Sequence, residues 1–403
     1  MATTSVTGGI QTPAVEWRDG KRYAWILGAV IPFIPFLAWG LVEWTGLDLF
    51  WYFGPVFVFG IIPLLDLALG LDRNNPPDEV IEALEQDRYY RWVTYAFIPA
   101  QYLCIGWSFW MMTQPGIDLA DQIGIAISLG MVAGIAINTA HELGHKKEEH
   151  ERWYARIALA QTFYGHFYIE HNRGHHVRVA TPEDPASSKV GENIYQFLPR
   201  TMWGSLKSAW ELESKRFARL GKSKYTFKND LINAWAMSVV LWGAVLAFAG
   251  PQIGFGRTLL LLAIQGFLGI WLLESVNYLE HYGMKRQKLE SGRYERVNPS
   301  HSWNSNNIGT NILLYHLQRH SDHHANPTRR YQTLRDFKES PVLPTGYAGM
   351  IVLTWVPAVW RAVMDPKVYA HFDGDMTRAN ILPRKRDKIL AKYPAPAGTE
   401  QAA

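Results

Sequence analysis

Stretches of about twenty residues with almost no charge constrain this chain more than any other feature. Hydrocarbon offers no hydrogen bonds, so a segment lying in it must satisfy its own backbone, and a helix does that. About twenty residues of helix cross a bilayer core roughly 30 Å thick. Six stretches qualify, at about 23–44, 49–71, 93–113, 120–141, 231–249 and 257–279. Pro32, Pro35, Pro63 and Pro99 fall inside them and predict local kinks. The expected fold class is an all-α integral membrane protein, with six transmembrane helices in three hairpins and a histidine-rich helical cap on the cytoplasmic side. The cap is expected to form with residues 23–370 as a single membrane-embedded domain. It follows an N-terminal cytoplasmic segment, 1–22, and precedes a polar tail, 371–403, whose Ala- and Pro-rich end is expected to be disordered.

Charge placement orients the spans. The connections 45–48 and 113–121 contain no Lys or Arg, and 250–257 contains one. Arg18, Lys21, Arg22, Arg73, Arg88, Arg91, Lys146 and Lys147 lie on the opposite side, which places both termini and the long segments in the cytoplasm. Two further apolar runs, 157–169 and 347–360, are too short to span and read as buried or interfacial helices. A net charge of +4 without a basic block gives no case for nucleic acid. The single cysteine, Cys104, excludes an intrachain disulfide framework and reads as a packing residue. The first twenty residues lack the pattern of a removable signal peptide.

The histidines carry the chemistry. There are 14, and none precedes residue 141. "HELGH" (141–145) follows the fourth span, "EHNRGHH" (170–176) lies in the next cytoplasmic segment, "NYLEHYG" (277–283) ends the sixth span, and "LQRHSDHH" (317–324) comes after it. An even number of crossings separates every group from every other, as one site on one membrane face requires. His141 and His145 are spaced i, i+4, and His320, His323 and His324 are spaced i, i+3, i+4, so each set shares a helix face. His171, His175 and His176 spread more widely, and Gly174 marks a bend among them. With His281 there are nine candidate ligands, too many for one ion, so two metals are expected. Imidazole suits zinc, copper, iron and nickel, so donor type alone does not choose the metal. His150, His166, His301, His316 and His371 are left outside the ligand set. Glu142, Glu170, Glu280 and Asp322 lie within two positions of a ligand, as outer carboxylates that fix an imidazole tautomer would, or as solvated surface groups. HExxH alone suggests a zinc protease, but that reading leaves seven histidines without a role.

At "HELGHKKE", "EHNRGHH", "NYLEHYG" and "LQRHSDHHANPTRRYQ" the sequence closely resembles the integral-membrane non-heme di-iron alkane 1-monooxygenases. These belong to a histidine-rich superfamily with the membrane fatty-acid desaturases and xylene monooxygenase. "NNPPDEV" (74–80) and "PTGY" (344–347) also resemble the alkane hydroxylase branch, and the likeness runs from about residue 17 to 370. The resemblance implies two non-heme Fe ions held by His141, His145, His171, His175, His176, His281, His320, His323 and His324. It implies O2 as oxidant, n-alkane as substrate, and electrons from rubredoxin, itself reduced by an NAD(P)H-dependent rubredoxin reductase. No rubredoxin-like CxxC pair is present, so the donor is expected to be a separate protein. The implied location is a bacterial-type cytoplasmic membrane. The nearest alternative is a fatty-acyl desaturase or a related lipid or aromatic-methyl hydroxylase with the same cage. A histidine-based metal transporter would need ionisable groups deep in the spans, which are nearly absent.

A terminal methyl is reached selectively only if the substrate is delivered end-on. Phe53, Phe57, Phe59 and Ile62 are candidate lining for such a channel, or lipid-facing and packing residues. Gly124, Gly130, Gly134 and Ala136 on the fourth span predict close helix packing. Asp66, inside the second span, reads either as a functional acid or as a hydrogen-bonded structural one. Lys146, Lys147, Arg152, Arg329 and Arg330 could dock an acidic electron carrier, though cytoplasmic loops are basic in any case.

Overall fold

The structure is a computed structural model that describes residues 17–396. Most of the expected N-terminal segment and seven of the last ten residues lie outside the described range. Among the described residues there are helices and isolated bridges but no strands. Short turns at Ile26–Ala29 and Ile31–Phe33 lead into α1 (Ile34–Thr45), so Pro32 falls at a break. Then come α2 (Asp48–Leu69), α3 (Arg88–Met111), α4 (Leu119–Gly144), α5 (Glu149–Leu159), α6 (Ile194–Arg219), α7 (Asp230–Ile253) and α8 (Phe255–Glu280). Four of these, α2, α4, α7 and α8, are long and apolar enough to cross a membrane. The continuous helix α3, with Pro99 inside it, owes its apolar character to Tyr, Trp and Phe, and α1 is shorter. A π turn at Phe57–Ile61 precedes Pro63 in α2.

Helix α4 is the axis of the bundle. Asp118 caps it by accepting from the backbone N–H groups of Ala120 and Asp121, and Asp121 accepts in return from the Asp118 N–H. Its small residues let α8 come close. A Cβ on Gly134 would lie 2.6 Å from Leu272, and one on Gly269 would lie 2.9 Å from Ala133. Leu64, Leu67, Val239 and Val240 on α2 and α7 are exposed, as lipid-facing side chains would be. The expected loop at 250–257 is a single-residue turn instead. Helix α7 runs through Pro251 to Ile253, and Gly254, at φ 92°, reverses the chain into α8.

The run 157–169 is not one helix. After α5 come a 3-10 turn at Ala160–Thr162 and Phe163 at φ 57°. The carbonyls freed by this break are taken by side chains of the long helices. Tyr102 donates to Ile157 O, Gln101 to Ala158 O, and Trp242 and Gln265 to Gln161 O. The run 347–360 divides likewise into α11 (Tyr347–Thr354) and α12 (Pro357–His371), after α9 (Ile308–Leu313) and α10 (His320–Ala325). Asp66 proves structural: it accepts from the Thr310 N–H at 2.7 Å and the Thr310 hydroxyl at 2.5 Å, tying α2 to α9. The described part of the tail packs on the body, with Met376, Ile381 and Ile389 buried and Asn380 O accepting from the Val190 N–H.

Candidate metal centre

All nine histidines meet at one end of the bundle. His141 lies in the last turn of α4, and His145 follows its end. His281 follows the end of α8, and α10 carries His320, His323 and His324. The remaining three sit on a π turn, His171–His175, closed by a bond from the His176 N–H to the His171 carbonyl. Five residues apart, two side chains would diverge on an α-helix. Here His171 Nε2 and His176 Nε2 lie 3.0 Å apart. The turn also requires Gly174, because a Cβ there would lie 2.3 Å from Glu170 Oε2.

Two clusters result. His141, His145, His171, His176 and His323 form one, and His175, His281, His320 and His324 form the other; within each, the donor atoms lie within 4.8 Å of one another. Neighbours in sequence are thus dealt to different clusters: His175 and His176 separate, as do His323 and His324. In the second cluster His324 Nε2 and His320 Nε2 are 2.9 Å apart, and His320 and His281 are 3.3 Å apart. Two nitrogens about 2.1 Å from one ion, at right to tetrahedral angles, are about 3.0–3.4 Å apart, so these spacings fit shared metals. The buried Nε2 atoms of His141 and His145 have no hydrogen-bond partner, as nitrogens awaiting a cation would not. Burial first, then neighbouring imidazoles, hold His176, His323 and His324 well below the ordinary imidazole range, in the unprotonated form that a metal requires.

Outer partners fix the second cluster. His175 Nδ1 bonds Asp184 Oδ2 at 2.9 Å, and His281 Nδ1 meets Ser302 Oγ at 3.3 Å. Burial opposes the Asp184 charge, but His175 and the Ser187 hydroxyl outweigh it and hold the carboxyl at about 2. Sequence reasoning missed Asp184; its one signal is a position between Pro182 and Pro185 just beyond a histidine doublet. Of the four flanking carboxylates, Glu280 Oε2 touches an imidazole, His320 Nε2, at 3.1 Å. Glu142 pairs with Lys146, Glu170 with Arg178 and Asp322 with Arg329, so these brace the surrounding elements. His316 belongs elsewhere, with Nδ1 on Tyr331 O and Nε2 near Lys21 Nζ. The expected basic docking patch is largely consumed internally: Lys146 and Arg330 are buried and ion-paired, and Arg329 holds Asp322.

A narrow apolar cavity lies next to the histidines. Val58, Ile62, Ile135, Leu272, Ala348 and Ile351 line it. It shares Asn138, Leu273, Val276 and Leu317 with a smaller hollow bounded by His141, His171 and His320. Of the four residues expected to line a channel, Ile62 is on this wall, whereas Phe59 packs edge-on against Trp271 and Trp355.

Known proteins share this arrangement in sequence. Residues 122–354 match the fatty acid desaturase family. An alkane 1-monooxygenase of Pseudomonas putida is 46% identical over 96% of this chain and 95% of its own. Another, from Ectopseudomonas oleovorans, is 48% identical over 94% of each. The xylene/toluene monooxygenase hydroxylase component of Pseudomonas putida is more distant, 27% identical over 62% of this chain and 65% of its own. With near-complete coverage at this identity, and with a histidine-lined centre at the end of an apolar helical bundle, the chain belongs to the alkane 1-monooxygenase family of membrane oxidoreductases, built on a fatty acid desaturase domain.

Proposed function

We propose that this chain hydroxylates the terminal methyl of n-alkanes with O2, at two irons held by the nine histidines. His141, His145, His171, His176 and His323 would hold one iron, and His175, His281, His320 and His324 the other. The observation that carries this reading is an apolar cavity that meets the histidine hollow at one end. The balance is RH + O2 + 2e⁻ + 2H⁺ → ROH + H2O. Reduced iron supplies the activation of O2 that this reaction needs.

The chain's own residues supply the rest. An alkane partitions into the bilayer, and each CH2 moved out of water contributes about 0.8 kcal/mol, so a site opening among the spans gathers its substrate from lipid. Val58, Ile62, Ile135 and Ile351 offer no hydrogen bond, and they hold the alkane by shape. Internal C–H bonds are weaker than those of a methyl, so selectivity for the chain end comes from an end-on approach past Leu273 and Val276. The same apolar wall keeps water from the hollow.

The proposal places six spans in a bacterial cytoplasmic membrane, with both termini and the metal centre on the cytoplasmic side. Rubredoxin, reduced by its NAD(P)H-dependent reductase, would supply electrons there. The test is direct: purified protein loaded with iron is given rubredoxin, the reductase, NADH and octane. The expected product is 1-octanol. Turnover of an acyl substrate to an alkene, with none of octane, would instead establish a desaturase.

A further inference from the structure

Glu280 is a buried carboxylate without a counter-charge. Three other carboxylates beside the histidines each face a cationic side chain: Glu142 faces Lys146 at 2.9 Å, Glu170 faces Arg178 at 2.6 Å and Asp322 faces Arg329 at 2.9 Å. Asp184 has no such cation but accepts hydrogen bonds from the His175 ring, the Ser187 hydroxyl and the Ala186 N–H. Glu280 is 1% exposed, and no Lys or Arg among the described residues pairs with it. The Tyr347 hydroxyl beside it is neutral and brings no positive charge. A carboxyl removed from water in this way is ionised only with a cation close by.

Its Oε2 indicates where that cation sits. The atom lies 3.1 Å from His320 Nε2. That nitrogen also lies 2.9 Å from His324 Nε2 and 3.3 Å from His281 Nε2, so it faces the centre of the four-histidine cluster. A nitrogen bound to metal has no proton to donate, so the 3.1 Å contact is not a hydrogen bond from His320 once the ion is present. It matches the spacing of two donors on one ion. The backbone holds the residue in place, since Glu280 O accepts from the Trp303 N–H at 2.8 Å and the Ser302 hydroxyl at 3.2 Å. Glu280 also borders the hollow next to the apolar cavity, together with His141, His171 and His320.

We infer that the Glu280 carboxylate is an oxygen donor to the metal of the four-histidine cluster, so that each ion has five protein donors. The inference rests on the two-metal reading above and adds a ligand to it. It makes the two ions chemically unlike: one is held by five neutral imidazoles, the other by four imidazoles and an anion. The carboxylate lowers the net charge of its ion by one and favours the more oxidised state there.

The test uses full-length protein loaded with ⁵⁷Fe(II), followed by Mössbauer spectroscopy and by iron release to a chelator. Wild type should show two ferrous doublets of equal area. In Glu280→Gln one doublet should shift while the other stays, and one iron should be lost to chelator about tenfold or more faster. Glu280→Asp should retain a carboxylate signature with intermediate release. Two unshifted doublets and wild-type release in Glu280→Gln would overturn the inference. Wild type that binds fewer than two irons would instead sink the two-metal reading beneath it. If Glu280→Gln does not fold, infrared difference spectra of wild type labelled with ¹³C-glutamate decide the matter. A carboxylate stretch that moves on metal loading supports the ligand, and an unchanged carboxylate region removes it.

Discussion

The two histidine clusters are built by different means. The five-histidine cluster draws His141 and His145 from the end of the most buried long helix, and their inward nitrogens have no protein partner. The four-histidine cluster draws His281 from the end of α8 and leans on oxygen atoms: Asp184 on His175, Ser302 on His281 and Glu280 on His320. One site is therefore positioned by a rigid helix, the other by polar contacts from two loops and from the end of α8. The difference predicts that the four-histidine site responds to loss of these oxygen partners and that the five-histidine site does not.

The largest effects come from removing proposed ligands that are adjacent in sequence yet fall in different clusters. His323→Ala should empty the five-histidine site, and His324→Ala the four-histidine site. Each should abolish alkane hydroxylation, beyond the roughly 100-fold that losing an outer partner costs. Iron analysis should find one ion lost in each, and with different spectra. Loss of the same ion in both variants would break the division into clusters. Asp184→Ala comes next. It leaves all nine imidazoles but frees the His175 ring, so iron affinity should fall about 10- to 100-fold at the four-histidine site alone. Equal weakening of both ions, read by chelator competition, would show that the sites are not separately held.

Gly174→Ala tests the joint between the clusters, since the π turn feeds both. The added methyl would meet Glu170 Oε2 and the Arg178 guanidinium, at 2.3 and 2.6 Å. Overpacking of this kind costs about 1–3 kcal/mol. The expected result is a lower melting temperature of the metal-free protein together with weaker binding of both irons. An unchanged melting temperature would mean that the turn absorbs the methyl by shifting Glu170.

The sequence shows which histidines belong together, and the reason is periodicity. The i, i+4 pair 141/145 and the i, i+3, i+4 set 320/323/324 fall on single helix faces, and span parity puts all the groups at one end. Which histidine joins which cluster is not legible. His171 and His176 meet through a π turn, and helical spacing counted at 3.6 residues per turn assigns them to different faces. Asp184 is hidden for another reason, because its contact with His175 depends on a bend at 180–187 held by the Ser187 hydroxyl and by turn bonds rather than on any repeating pattern. Channel residues were equally hidden. Hydrophobicity marks Phe59 and Ile62 alike, and only packing separates the wall of the cavity from the aromatic group beside it.

The smallest expected effect lies in that cavity, whose lining includes no histidine. Ala348 on α11 is one of its smallest lining side chains. Ala348→Phe would fill space that the distal part of an alkane needs, and Ala348 does not line the hollow beside the histidines. Forcing extra carbons into a filled apolar site costs about 1 kcal/mol or more, roughly fivefold in relative kcat/KM. The variant should therefore retain both irons and hydroxylate octane near the wild-type rate, while losing dodecane by several-fold. A uniform loss on both substrates would mean that the cavity positions the methyl rather than measuring the chain. Loss of iron at the four-histidine site would mean that α11, through Tyr347 and its neighbour Glu280, braces that cluster as well as the substrate.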